Sequence, residues 1–198
     1  MTPSPTPPPS TPAATTPAPT RTASPVPTPS VNTGPATPSP TPTTAPGSSP
    51  NAACAPLTGG SQANRAVLTA IRIAHNPGFD RLVFEFGPST GPGTYGIPPY
   101  QIEVANTFTT TSGQQVRVDG NAFIGIRFQN TDAHDQAGRV TLTSTDIKPT
   151  TPLIKEARMV EDFEAVVRWA VGLDHLVCPQ VLTLSGPVRV VLDFPTPP

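Results

Sequence analysis

From residue 66 onward, apolar and polar residues alternate with a period of two, which is the spacing of half-buried strands and not of helices. Val67 to His75 alternates in this way, and so does Arg81 to Phe86. The residues between them, Asn76-Pro77-Gly78-Phe79, carry turn chemistry, so the two runs predict a β-hairpin. Pairing Ile73 with Leu82 and Ile71 with Phe84 puts Thr69, Ile71, Ile73, Leu82, Phe84 and Phe86 on one face, which becomes the core side. Arg72, Arg81 and Glu85 then share the opposite face. Further strands are predicted at Tyr100–Ala105, Gln115–Val118 and Ala122–Phe128, with Asp119-Gly120-Asn121 as a turn between the last two. Arg139–Thr143 reads as an edge strand. Ile154–Val160 and Glu164–Gly172 read as a hairpin turning at Glu161-Asp162-Phe163, and Val181–Leu184 and Val188–Phe194 close the chain. Trp169 alternates with Val167 and Val171, which assigns it to the core. About nine or ten short strands without a helix predict an all-β protein, a β-sandwich.

Composition changes the picture for the first quarter of the chain. Of the 198 residues 30 are proline, and residues 1–50 hold 17 of them. With 13 threonines, 7 serines and 6 alanines these account for 43 of the 50 positions, beside a single charge, Arg21, and no aromatic. Such a stretch has nothing to bury and cannot offset the entropy of ordering. It reads as a disordered Pro/Thr/Ser-rich linker or stalk. In the polyproline conformation, at ~3.1 Å per residue, it would reach on the order of 150 Å. Residues 51–65 then form a connecting segment and 66–198 the folded domain.

A spacer of this kind suits an extracytoplasmic domain, secreted or anchored at a cell surface. Met1 runs directly into Thr-Pro-Ser-Pro, so the expectation is that a leader is absent from this sequence. Cys54 and Cys178 bracket the folded region and, in an exported chain, would form a disulfide; free thiols are the alternative. Their spacing does not suit zinc.

Charge removes other classes. The chain carries 12 basic and 13 acidic side chains, for a net charge of −1, with no basic run or basic amphipathic helix. Nucleic acid is therefore not an expected partner. No stretch approaches the ~18 apolar residues of a membrane span.

The closing segment, Pro187-Val188-Arg189-Val190-Val191-Leu192-Asp193, resembles the terminal signature of AMIN and AMIN-like domains. Phe79-Asp80-Arg81-Leu82-Val83-Phe84-Glu85-Phe86 is similar to a motif of the AMIN-like group. Pro99-Tyr100, Ser112-Gly113, Asp162-Phe163-Glu164 and Gly172-Leu173-Asp174 match further pieces in the same order. The chain departs from the family at Cys178-Pro179, where an aromatic and a basic residue are more usual. The resemblance covers about Val67 to Phe194. It implies a bacterial envelope protein, often a lipoprotein, that binds peptidoglycan or localises a partner, and it implies no catalysis and no cofactor.

Asp80, Arg81, Arg189 and Asp193 occupy motif positions and are candidates for ligand binding. The structural alternative is that arginine–carboxylate pairs among them lock strand register. Tyr95 and Tyr100 are the aromatics available to stack on sugar faces. Asp132-Ala133-His134-Asp135 groups three metal-ligating side chains, but tight local spacing rarely closes a metal shell without a remote ligand, and no metal is expected. Glu85 and Glu164 would be the carboxylates of a glycoside hydrolase only if they faced each other. No nucleophile elbow is present. The expected function is a non-catalytic module that binds cell-wall glycan or localises an envelope protein. A protein-binding module using a sheet edge is the alternative, and a cell-wall hydrolase the lesser one.

Overall fold

The structure, a computed structural model, describes residues 54–197. The proline-rich stalk expected for residues 1–50 lies outside the described residues. Thirteen strands follow in order: β1 (Leu57–Gly59), β2 (Ala66–Asn76), β3 (Phe79–Pro88), β4 (Tyr100–Ala105), β5 (Phe108–Thr109), β6 (Gln115–Val116), β7 (Ala122–Gln129), β8 (Thr131–Asp132), β9 (Asp146–Ile147), β10 (Ile154–Phe163), β11 (Val166–Leu173), β12 (Gln180–Ser185) and β13 (Val188–Pro195). They form a six-stranded sheet ordered β1-β4-β7-β11-β10-β9, a five-stranded sheet ordered β12-β13-β3-β2-β8, and a separate two-stranded ribbon, β5-β6. The fold is the all-β sandwich that the alternation predicts. The segment before residue 66 is more than a connector, because β1 pairs with β4.

The core lies between the two large sheets. Leu82, Phe84 and Phe86 from β3 and Val190, Leu192 and Phe194 from β13 meet Ile124, Ile126 and Phe128 from β7 and Trp169 from β11. The aromatic rings pack edge to face: Phe84 lies 5.0 Å from Phe128 and 5.9 Å from Trp169, between ring centroids. That arrangement places positive ring edges against negative faces and adds to the burial of area. Trp169 is a core residue, as its alternation with valines indicates.

The first hairpin has the expected register, Ile71 opposite Phe84 and Ile73 opposite Leu82. Gly78 holds φ 87°, which only glycine adopts without strain in this two-residue turn. A bulge between Leu68 and Ala70 corrects the outer end of the pattern. Thr69 is the extra residue, exposed, with its hydroxyl donating to the Glu85 carbonyl at 3.1 Å. Leu68 therefore takes the inward place opposite Phe86.

Two other expectations are corrected. Arg139–Thr143 makes only one isolated bridge, between His134 and Val140, and forms no strand. Instead the Arg139 side chain binds Asp135 in the preceding loop, and the Thr141 hydroxyl donates to the Leu68 carbonyl on β2 at 2.6 Å. The β10–β11 turn sits at Glu164-Ala165, beyond Phe163, so Glu164 is a turn residue and not part of a strand. Both turn residues have positive φ, 52° and 56°.

Cys54 and Cys178 are joined by a disulfide across 124 residues, fastening the chain ahead of β1 to the approach to β12. Closing a loop of that length removes about 5 kcal/mol of unfolded-state entropy in the chain-entropy account. The family departure at Cys178-Pro179 is thus one half of this bridge.

Candidate functional site

Alternation along β3 sends its motif residues to opposite destinations. Asp80 points inward and is fully buried. Its Oδ2 accepts the backbone N–H groups of Leu153 at 2.8 Å and Ile154 at 3.0 Å, and its Oδ1 lies 2.7 Å from His75 Nδ1. Burial pushes this carboxyl up, but the bonds from Ile154, His75 and Leu153 outweigh it and hold the group below the usual aspartate range. Oδ2 pins the start of β10 to the first hairpin, and Oδ1 is taken up within the hairpin by His75.

Arg81 points outward. It forms a two-pronged pair with Asp193, directly opposite on β13, with Nε–Oδ1 and Nη2–Oδ2 both 2.7 Å. Four residues along β3, Glu85 accepts from Arg72 Nη1 at 2.8 Å and from Arg189 Nε at 2.9 Å. Hydrogen bonds from Arg72 and Arg189 hold the Glu85 carboxyl below its ordinary value. The four charged motif side chains Arg81, Glu85, Arg189 and Asp193 thus form a ladder across the outer face of the five-stranded sheet, each satisfied by another. Tyr95 and Tyr100 lie elsewhere. The Tyr95 hydroxyl donates to the Phe86 carbonyl at 2.6 Å, and Tyr100 on β4 packs against the core, where burial raises its pKa. The six candidate ligand residues therefore occupy three separate places: the interior, one sheet face and the opposite sheet with its loop.

At one end of the sandwich, the loop after β3 and the loop after β8 border a cleft of about 750 Å³. Its rim carries both charges: Arg65 bonds Asp132 at 2.9 Å and Ser89 at 3.3 Å, and Arg139 bonds Asp135 at 2.8 Å. His134 Nδ1 lies 2.6 Å from Asp162 Oδ2. That bond is the main reason the His134 pKa is raised. Burial opposes it, and the charges of Asp162, Asp132 and Asp135 add to it.

Asp162 is the remote carboxylate that the local Asp132-to-Asp135 run lacks. Asp132, His134 and Asp162 each offer one ligand atom within 4.8 Å of the others, and Asp162 Oδ1 is buried without a hydrogen-bond partner among the described residues. These three could share a divalent cation. Asp135 stands apart, occupied by Arg139 and by the amides of Ala137 and Arg139. Its side chain caps the loop.

The two glutamates considered for hydrolysis do not pair. Glu85 sits on the five-stranded sheet between two arginines, and Glu164 in a turn of the other sheet. Arg168, on the strand after Glu164, binds Glu161 at 2.6 Å.

The sequence reading also missed Glu156, which is almost wholly buried and accepts the Asp119 N–H at 2.7 Å. Burial raises its pKa; the Asp119 bond works against that, and the neighbouring Asp146 carboxyl adds to it. It sits beside the point where Asp119 crosses Gly172, at which any side chain would collide with the Asp119 carbonyl. The Gly172 of the family motif is thus required by close backbone approach.

No curated protein and no solved structure matches the chain. The family comparison does find a match: residues 66–196 correspond to the AMIN-like domain, from the first strand of the opening hairpin to the end of β13. The chain belongs to the AMIN-like domain family.

Proposed function

We propose that this protein is a non-catalytic cell-envelope module that binds peptidoglycan or localises a partner, displayed on the stalk of residues 1–50. Family membership supports the envelope assignment at the level of the domain, and the disulfide accords with an oxidising compartment outside the cytoplasm. The carrying observation is the family match over nearly the whole folded region. The end cleft adds a physical rationale: it is open, and its rim side chains, Arg65, Asp132, His134, Asp135 and Arg139, offer both donors and acceptors to the hydroxyls and amides of a glycan. Co-sedimentation of the full chain with purified peptidoglycan tests the reading. Pelleting that survives moderate salt is expected, and a chain that stays in the supernatant overturns wall binding.

One observation favours protein binding as the second reading. Strand β12 pairs only with β13 among the described residues, and Leu182 and Leu184 on it are 48% and 46% exposed. An open edge with exposed leucines can accept a partner strand.

A further inference from the structure

The outer face of the six-stranded sheet carries a second concavity. The β5-β6 ribbon belongs to neither large sheet, and side chains hold it against β10 and β11. Glu161 accepts the Thr111 N–H at 2.7 Å and the Thr111 hydroxyl at 2.8 Å, and Arg168 donates to the Thr109 carbonyl at 2.6 Å. Between the ribbon and strands β4, β7 and β11 lies a groove of about 320 Å³.

Strand register determines what lines it. On these strands Ile102, Ile126 and Trp169 face the core, so their neighbours face outward. Gln101, Arg127 and Arg168 are aligned in one row across three strands, and Glu103, Gly125 and Ala170 in the next. The second row gives a low floor at Gly125, which has no side chain. Phe108 stands beside it, edge-on to Phe123 at 6.1 Å, with its ring 3.6 Å from the place a Gly125 side chain would begin. The groove thus has a small-residue floor, one aromatic wall and a polar end.

The polar end is electrostatically incomplete. Arg127 and Arg168 are directly opposite on neighbouring antiparallel strands, an arrangement in which like charges repel. Arg168 is satisfied by Glu161 and Thr109. Arg127 is exposed and has neither a hydrogen bond nor an ion pair among the described residues. On the outer face of the five-stranded sheet, by contrast, Arg72, Arg81 and Arg189 each have a carboxylate within 2.9 Å. Glu103, held by Gln101 Nε2 at 2.9 Å, leaves oxygen acceptors in the same groove. A ligand that completes this set brings a carboxylate for the Arg127 guanidinium, a ring for Phe108, and hydroxyl or amide donors for Glu103.

Building on the peptidoglycan reading, we infer that this groove is a subsite for an acidic sugar, a muramyl residue of a glycan strand freed of its stem peptides, whose unblocked lactyl carboxylate is held by Arg127. The probes are N-acetylmuramic acid and N-acetylglucosamine, which share the ring and the acetamido group and differ by the carboxylate-bearing ether. They are titrated into isotopically labelled full-length chain while amide resonances are followed. N-acetylmuramic acid shifts the amides of Phe108, Gly125 and Arg127 and binds about tenfold or more tightly than N-acetylglucosamine, as a charge-assisted pair of hydrogen bonds implies. Arg127→Gln melts with the wild type and loses the preference between the two sugars. Equal binding of both sugars, shifts confined to the end cleft, or an undiminished preference in R127Q overturns the subsite. Glucuronate shifting these amides in place of N-acetylmuramic acid overturns the muramyl assignment. Co-sedimentation run alongside separates the two ideas. Wall pelleting without groove shifts removes this subsite and leaves the peptidoglycan reading standing. Groove shifts without pelleting do the reverse.

Discussion

Asp80 offers a direct test of whether a motif carboxylate serves structure or ligand. Replacing it with alanine removes the acceptor of two backbone N–H groups, those of Leu153 and Ile154, at a point with no solvent access. Each amide left buried without a partner costs about 1–3 kcal/mol, so Asp80→Ala should lose about 2–6 kcal/mol. That is a large share of the roughly 5–15 kcal/mol of an ordinary domain. Asp80→Asn keeps an oxygen for the amides and gives up only the charge, so its loss should be the smaller of the two. Urea unfolding at neutral pH, read as the shift in midpoint at constant slope, measures both. The pH dependence supplies a second reading. The native Asp80 pKa is depressed, so its contribution is fully present above the ordinary aspartate value of about 3.9 and is lost as pH falls through the lower native value. The gap between wild type and Asp80→Ala should narrow in strong acid. An Asp80→Ala stability within about 0.5 kcal/mol of wild type at neutral pH would refute the reasoning and return Asp80 to the ligand candidates.

The β10–β11 turn and the end cleft each yield one more prediction. Glu164 and Ala165 hold φ of 52° and 56°, where side chains crowd the backbone, so the double change Glu164→Asn with Ala165→Gly should stabilise the domain by about 1–2 kcal/mol. A urea midpoint that stays put or falls counts against this. The His134 pKa is raised by Asp162, so the pair stabilises the fold below the ordinary histidine value of about 6.5 and fades as pH rises through the native value. The melting-temperature gap between wild type and His134→Ala should therefore shrink from mildly acidic to mildly alkaline pH, and more so at low salt, because His134 is partly exposed. A gap that is flat or widens with pH rules the pairing out.

The first hairpin shows how far alternation reaches. Its Ile71–Phe84 and Ile73–Leu82 pairings follow from sequence because a one-residue slip would turn every apolar side chain to the solvent face. The same logic placed Arg81 and Glu85 outside and Trp169 inside. It failed at Thr69, where alternation continues through a bulge that shifts the inward role to Leu68. It failed again at Arg139–Thr143, whose pattern suits a strand but which has only a single bridging contact. A strand needs a neighbour to supply its hydrogen bonds, and alternation does not reveal whether one is present.

The candidate sites divide in the same way. The pairing of Cys54 with Cys178, and of arginines with carboxylates along β3 and β13, concerned residues already singled out by type and motif. Asp162 joining His134, Glu156 buried beneath Asp119, and the β5-β6 ribbon tied through Thr111 to Glu161 involve residues 28 to 50 positions apart in the chain. By itself the sequence determined the sandwich class, the hairpin register and the family, because each rests on short-range alternation or on residues read in order. Only the tertiary structure decided which outward-facing side chains converge. Convergence depends on sheet order and loop path, and those are settled by how the whole core packs.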